Sequence, residues 1–301
     1  MKWTPGGDRD QIEDRRGETP GLGGGGGGGF RFPIPGGVHL GLGGTVIVLI
    51  LYFVVRGFGG LGGDGGGAPA PTGGNAPARS APPRSGAADP DDKLVDFVTF
   101  VVNDVQKVWA EKLQGMGKTY RPAHLVLFTD ATRTGCGNAS AAVGPFYCPV
   151  DGKVYIDLSF YRELVRRFGA PGDFAQAYVI AHEYGHHIQD LLGIEAQVRQ
   201  TQESHPSERN SLSVRLELQA DCFAGIWAHS TEERNLLEAG DVDEALGAAS
   251  AVGDDRIQKQ SGGRVNPETW THGSAAQRSG WFKRGFAHGK ITDCDTFSGS
   301  P

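Results

Sequence analysis

The sequence lacks several features that mark common protein classes. Its 48 glycines follow no Gly-X-Y period, which excludes a collagen-like chain. Its four cysteines contain no Cys-X-X-Cys spacing, which argues against a zinc knuckle built on cysteine. A basic excess is also missing, since the net charge is −6 and residues 91–301 hold 21 basic and 28 acidic residues. Because a nucleic-acid binder needs a basic surface, we expect no nucleic-acid partner.

Glycine and proline are concentrated in the first 90 of the 301 residues, which contain 27 of the 48 glycines and 10 of the 17 prolines. Within this part, 24 uncharged residues lie between Arg31 and Arg56 and end in the apolar run LGLGGTVIVLILYFVV. Such a run predicts a membrane span, which we place at residues 36–56. A buried core helix is the alternative, but the run has no polar face. A cleaved signal peptide is disfavoured because the run starts only at Leu40.

Basic residues on the two sides of this run predict its orientation. Arg56 is the only one that follows within twenty residues, whereas five precede the run: Lys2, Arg9, Arg15, Arg16 and Arg31. The positive-inside rule then makes the N-terminus cytoplasmic and the C-terminal domain extracytoplasmic, so we expect a single-pass protein of the cell membrane. We divide the chain into a Gly-rich cytoplasmic tail (1–35), a transmembrane helix (36–56), a disordered Gly/Pro/Ala linker (57–90) and a folded domain (91–301).

Four cysteines in an extracytoplasmic domain favour two disulfides. Three pairings are possible, and we expect Cys136 with Cys148 and Cys222 with Cys294. A buried free thiol at Cys222 is the alternative.

The hydrophobic pattern of residues 91–301 predicts an α+β domain with a small antiparallel or mixed sheet that helices cover or flank. A capping box of Asp173 and Gln176 is expected at the start of the second helix. The predicted elements are helices at 91–114, 173–193, 207–229, 242–260 and 273–289, a strand at 124–128, and a hairpin of 138–147 with 153–158 that turns at 149–152.

Residues 182–186, HEYGH, form an HExxH motif inside the predicted helix 173–193. Four helical residues turn about 400°, so His182 and His186 project from one face and can bind a single Zn²⁺. Glu183 then lies beside the metal. Since zinc lowers the pKa of a bound water, Glu183 can act as the general base that takes its proton. We therefore expect one zinc ion per chain.

A catalytic zinc site needs a third protein ligand and an open position. Glu217 lies 31 residues after His186 on the next long predicted helix, and we expect it to be that ligand. Asp221, one turn further, is expected to hydrogen-bond a ligating histidine. The alternative is that Glu217 and Asp221 lie on a solvated helix face. The apolar neighbours Leu216 and Leu218 disfavour this alternative.

The other histidines are weaker candidates. His187 lies about 100° around the helix from His186, so we expect a structural or rim residue. His205 and His229 are expected at the surface. His272 precedes a predicted helix and is a candidate oxyanion donor, with simple helix capping as an equal alternative. Tyr184 is a second candidate for the oxyanion.

With these residues in place, the sequence resembles the bacterial family of neutral zinc metallopeptidases, membrane-anchored zincins. The resemblance covers nearly all of residues 91–301 and some of the N-terminus. It is carried by separate motifs in one order: MKW (1–3), IEDRRG (12–17), TGCG (134–137), GPFYCP (144–149) with VYIDL (154–158), AHEYGHHIQ (181–189), RLELQADCFAG (215–225), GDDRIQ (253–258), THG (271–273), WFKRGF (281–286) and CDTF (294–297).

This resemblance implies a zincin-like fold with an HExxH active-site helix and a peptide-hydrolase activity. The ELQAD segment looks like the corresponding gluzincin element, which carries the third-ligand role to Glu217 and the supporting role to Asp221. In zincins an edge strand before the HExxH helix binds the substrate as an added strand, which implies that role for residues 144–158.

The leading hypothesis is a membrane-anchored, zinc-dependent peptidase that acts on peptides or proteins. The alternative is a non-catalytic, zinc-containing envelope protein that binds polypeptides, which would not need the carboxylate of Glu183. A structural envelope protein without metal would make the HExxH motif a coincidence. Intramembrane proteolysis is disfavoured because His182 lies 126 residues after Arg56.

Overall fold

A computed structural model describes residues 1–18, 91–166, 169–262 and 264–299. The predicted transmembrane helix at 36–56 and the predicted linker at 57–90 lie outside these residues. None of the helices in the described ranges combines the length and apolar character that a membrane span requires.

The described residues form an α+β fold of six short strands and eight helices. The strands are β1 (Ile12–Asp14), β2 (Leu125–Phe128), β3 (Ala131–Thr134), β4 (Gly137–Ser140), β5 (Phe146–Cys148) and β6 (Lys153–Asp157). The helices are α1 (Asp92–Gly115), α2 (Ser159–Arg166), α3 (Asp173–Leu192), α4 (Ile194–Ser204), α5 (Arg209–Glu233), α6 (Asp241–Ala251), α7 (Asp254–Gln260) and α8 (Ala275–His288).

Four strands form a mixed sheet in the order β1-β2-β6-β5. Strands β1, β2 and β6 are parallel, whereas β5 runs antiparallel to β6 with Tyr147 opposite Val154. Strands β3 and β4 form a separate antiparallel pair. Strand β5 therefore lies at one edge of the mixed sheet and β1 at the other.

The two faces of the sheet bury different cores, because successive residues of a strand point to opposite sides. Leu125 and Leu127 of β2 join the main core, which the helices cover. Val126 and Phe128 join a smaller core beneath the β3–β4 pair. The expected disulfide between Cys136 and Cys148 closes this smaller core.

Helices α5 and α8 approach each other so closely that glycine is required at their crossing. A Cβ atom at Gly225 would overlap the carbonyl oxygen of Phe282, and one at Gly285 would overlap that of Cys222. The second expected disulfide joins Cys222 of α5 to Cys294 beyond α8. Both bridges are thus present, and the free-thiol alternative for Cys222 is wrong.

Several predicted boundaries need correction. The first hairpin strand, 138–147, is divided: β4 pairs with β3, and only β5 pairs with β6. Helix α4 was not predicted, and the helix expected at 242–260 is interrupted at Gly253, where a Cβ would overlap the backbone of Ala275. The predicted capping box at Asp173 is absent, because Gly172 is the N-cap of α3 and the Asp173 carboxylate binds the Met1 amino group at 2.6 Å.

The most consequential correction concerns the predicted tail at 1–35. Its described part, residues 1–18, belongs to the same fold as residues 91–299, since β1 extends the mixed sheet and Met1 is buried in the main core. The folded unit therefore does not begin at residue 91.

Candidate metal centre

The candidate site lies where α3 crosses α5. Gly185, in the middle of the HExxH motif, faces Ala220 of α5, and an added Cβ would come within 3.0 Å of the Ala220 Cα and carbonyl oxygen. Glycine thus allows the two backbones to approach closely at the point where the candidate ligands project.

Three predicted ligands meet at this crossing. Nε2 of His182 lies 3.2 Å from Oε2 of Glu217, and Nε2 of His186 lies 3.5 Å from Oε1 of the same carboxylate. One donor atom from each of the three residues lies within 4.8 Å of the other two. The sequence suggests the two histidines as ligands because they share a helix face. The crossing of the two helices brings Glu217 next to them.

The donor set fits zinc in both chemistry and spacing. Two imidazole nitrogens and one carboxylate oxygen are typical zinc ligands, with bond lengths of about 2.0–2.2 Å. In a tetrahedral site those bond lengths place neighbouring ligand atoms about 3.4 Å apart. The separations of 3.2 and 3.5 Å are close to this value. Three protein donors also leave one tetrahedral position for water or substrate.

His182 is held by a buried carboxylate. Its Nδ1 lies 2.9 Å from Oδ1 of Asp221, which leaves Nε2 directed at the other candidate ligands. Asp221 also accepts hydrogen bonds from the Tyr178 hydroxyl at 2.5 Å and from Nε and Nη2 of Arg278 at 2.8 and 2.9 Å. Asp221 therefore lies where the sequence predicted, but Tyr178 and Arg278 were not anticipated.

His186 is held by a neutral partner instead. Its Nδ1 lies 2.8 Å from Oε1 of Gln189, whose amide nitrogen donates to the Leu216 carbonyl at 2.7 Å and to Oε1 of Gln219 at 3.1 Å. Gln189 was also not anticipated, although its position three residues after His186 on the same helix is a local signal that could have suggested it.

The different partners shift the pKa values of the two histidines in opposite directions. Burial alone lowers the pKa of both, but the Asp221 and Glu217 carboxylates raise the pKa of His182 to about 9. His186 lacks a carboxylate at Nδ1, and burial lowers its pKa below the ordinary value. The pKa of Glu217 is held well below its ordinary value, because the nearby histidines outweigh the effect of burial.

Glu183 lies beside this cluster with 6% of its surface exposed. Burial raises its pKa to about 7, against the opposing attraction of His182. The backbone N–H of Tyr147 in edge strand β5 lies close enough to the Glu183 carboxylate to oppose this rise in pKa. A carboxylate with a pKa near neutrality is suited to accept and return a proton.

His272 forms a buried pair with Asp254, a residue whose role was not predicted from the sequence. Its Nδ1 lies 3.0 Å from Oδ1 of Asp254, and the backbone N–H groups of residues 271–273 donate to Oδ2 of Asp254. Nε2 is buried without a hydrogen-bond partner among the described residues. Ser274, not His272, caps α8, so simple capping is excluded as the role of His272.

The other sequence candidates lie away from the three-residue cluster. Tyr184 is buried and its hydroxyl donates to the Ala123 carbonyl at 3.0 Å, so the proposed oxyanion role is wrong. His187 is a buried structural residue that contacts the Arg121 carbonyl and the Tyr147 hydroxyl. His205 is exposed, and His229 is partly buried against the Phe286 carbonyl.

Comparison with known sequences identifies the family. The family described as “Putative neutral zinc metallopeptidase” matches residues 1–297. The chain belongs to that family. Its sequence relatives include the uncharacterized protein YpfJ of Escherichia coli K12, which is 46% identical over 303 residues and matched over the whole of both chains.

A second relative is the uncharacterized protein Rv2575 of Mycobacterium tuberculosis H37Rv. It is 49% identical over 207 residues, which cover 65% of this chain and 68% of the relative. No solved structure matches the chain. The family match begins at residue 1, so it includes residues 1–18 as well as the rest of the described fold up to residue 297.

Proposed function

We propose that this protein is a zinc-dependent peptidase that hydrolyses peptide bonds in peptide or protein substrates. His182, His186 and Glu217 would hold one zinc ion per chain, with Asp221 and Gln189 orienting the two imidazoles. The observation that carries the proposal is the buried carboxylate of Glu183 beside this donor set.

The residues around the donor set can be assigned to steps of peptide hydrolysis. Zinc, when bound, supplies a Lewis acid that acidifies water and polarises the scissile carbonyl. Glu183 accepts the proton of the attacking water and passes it to the leaving amine. His272 would donate from Nε2 to the oxyanion of the tetrahedral intermediate, with its ring oriented by the hydrogen bond between Nδ1 and Asp254.

We propose edge strand β5 as the place where an extended substrate lies. Strand β5 pairs with β6 on one side, and the backbone N–H of its Tyr147 lies near the Glu183 carboxylate. A substrate strand added there would place its backbone next to Glu183, and this mode of binding depends on main-chain hydrogen bonds rather than on one side chain.

The alternative of a non-catalytic zinc protein that binds polypeptides is disfavoured by the same carboxylate. A purely structural site needs no base beside its ligands, and burying Glu183 has an energetic cost. Attachment to a membrane through residues 36–56 and an extracytoplasmic location stay predictions from the sequence.

The proposal is tested with the purified full-length chain in detergent, using a reduced and alkylated polypeptide as substrate. Wild type and Glu183→Gln are loaded with zinc, and their metal content is measured before the assay. Cleavage by wild type alone, at equal zinc content, is the expected result. If both forms with zinc bound leave the polypeptide intact, the binding alternative gains support.

A further inference from the structure

Residues 1–18, which we call the N-terminal segment, supply a strand to the folded domain. Strand β1 pairs in parallel with β2, with Ile12 opposite Leu125 and Asp14 opposite Leu127. The pairing continues beyond the strand ends, because the Leu125 N–H donates to the Gln11 carbonyl and the Arg15 N–H donates to the Leu127 carbonyl, each at 2.8 Å.

The start of the N-terminal segment is embedded in the helical layer. The Met1 side chain is 4% exposed and joins the main core, and its amino group binds Asp173 at 2.6 Å and Asp241 at 3.2 Å. The Trp3 ring packs edge-on against Phe97 with centroids 5.4 Å apart. These contacts reach α1, α3 and α6, so the segment is part of the folded unit.

Basic residues of this segment also form ion pairs and hydrogen bonds. Arg9 forms an ion pair with Asp96 of α1, and Arg16 forms one with Asp14. Arg15 binds Glu13 and donates to the carbonyl of Arg133 in β3. Three of the five basic residues that led us to expect a cytoplasmic N-terminus therefore have structural partners, which gives a separate reason for their presence.

From these contacts we infer that the N-terminal segment and residues 91–299 lie on the same side of the membrane, which argues against the predicted single crossing at residues 36–56. Paired strands lie about 4.8 Å apart, whereas a bilayer core is about 30 Å thick. One crossing would place β1 and β2 on opposite sides of that core.

The length of the uncharged run limits how the chain can return to the same side. Two helical crossings need about 40 apolar residues, and only 24 uncharged residues lie between Arg31 and Arg56. The run is therefore too short for two helical crossings. The two disulfides favour the oxidising, extracytoplasmic side for the whole folded unit.

Cysteine labelling of the full-length chain tests this topology. Thr4→Cys and Asp10→Cys place a thiol in exposed positions of the N-terminal segment, and Ser207→Cys and Lys283→Cys do so in the rest of the domain. The wild-type chain is the blank, because its four cysteines are paired. A membrane-impermeant maleimide is added to spheroplasts and, separately, to inverted membrane vesicles.

All four variants are expected to be labelled from the same face and to be protected at the other. Labelling of the Thr4 and Asp10 variants only from the face opposite to that of Ser207 and Lys283 would overturn the inference. This readout does not depend on peptidase activity, so it stands or fails separately from the proposed function.

A second measurement tests the docking itself in the membrane-bound chain. The Lys153 Nζ lies 2.7 Å from Oε2 of Glu13, so a zero-length carbodiimide should join the two side chains in an amide. We expect a 13–153 cross-linked peptide in wild type and none in Lys153→Arg, since a guanidinium does not form this amide. Absence of the cross-link from wild-type membranes would contradict docking of the N-terminal segment.

Discussion

Replacing Asp221 by Asn should destabilise the metal-free protein and weaken zinc binding at the same time. The substitution nearly preserves shape but removes a buried charge that accepts hydrogen bonds from Tyr178, His182 and Arg278. The Asn amide group has one NH₂ end, so at least one of these donors would face another donor.

The size of the destabilisation depends on the buried charge of Arg278, which loses its main partner. Breaking a buried ion pair by removing one partner costs about 3–5 kcal/mol. Among the described residues, the one carboxylate left to pair with Arg278 would be that of Glu217, 3.8 Å away, so we expect about 3 kcal/mol, the lower end of that range. Loss of the partner that orients a metal-binding histidine raises the zinc Kd by about 10–100-fold.

Urea unfolding of the metal-free chain and zinc titration against a chelator measure the two effects. Asp10→Asn is the matched control, because that carboxylate is exposed and its loss should change the unfolding free energy by less than about 0.5 kcal/mol. If Asp221→Asn unfolds at the same urea concentration as the control and binds zinc as wild type does, the described role of Asp221 is refuted.

Four further predictions concern the site and the disulfides. Glu217→Ala should lose zinc to a chelator that leaves Glu183→Gln loaded, and equal retention would remove Glu217 from the ligand set. His272→Gln should keep zinc while kcat falls by about 10²–10³-fold; an unchanged kcat would exclude the oxyanion role. Because the pKa of His182 is raised to about 9 and zinc must displace that proton, zinc affinity should rise about tenfold per pH unit between pH 7 and 9, and a flat profile would contradict this competition. No free thiol should titrate before reduction, and cleaving the disulfide that spans 72 residues should lower the unfolding free energy by about 4 kcal/mol.

The sequence predicted the parts of the site that depend on local geometry. His182, Glu183 and His186 lie on one helix, so their relative directions follow from the helical turn. Glu217 and Asp221 were predicted because a second helix carries both at one-turn spacing. The crossing at Gly185 and Ala220 is what brings the two helices together, and spacing along the chain does not specify it.

The supporting residues were missed because they come from distant parts of the chain. Arg278 reaches Asp221 from α8, 57 residues later, and Asp254 reaches His272 from α7 across 18 residues. Asp254 belongs to the GDDRIQ motif, but nothing in that motif pairs it with His272, and Arg278 lies in no motif that we identified. Arg278 is brought to Asp221 where α8 packs on α5 at Gly225, and Asp254 is brought to residues 271–273 where Gly253 packs against Ala275.

The N-terminal segment was misassigned because composition outweighed a weak local pattern. Strand β1 has three residues, Ile12–Asp14, two of them acidic, so hydrophobic alternation does not indicate a strand. Its pairing partner β2 begins more than a hundred residues later. The glycine-rich residues that follow the segment led us to treat the whole of 1–35 as a tail.

The measurement that tests the central claim most directly is cleavage by the full-length chain, because the N-terminal segment belongs to the fold. Wild type and Glu183→Gln, matched in zinc content and in urea stability, are compared on the same unfolded polypeptide. The account predicts zinc-dependent cleavage by wild type that a chelator abolishes, and a loss of at least about 10²-fold in Glu183→Gln. Equal cleavage by the two proteins would contradict the role of Glu183 and, with it, the proposed mechanism.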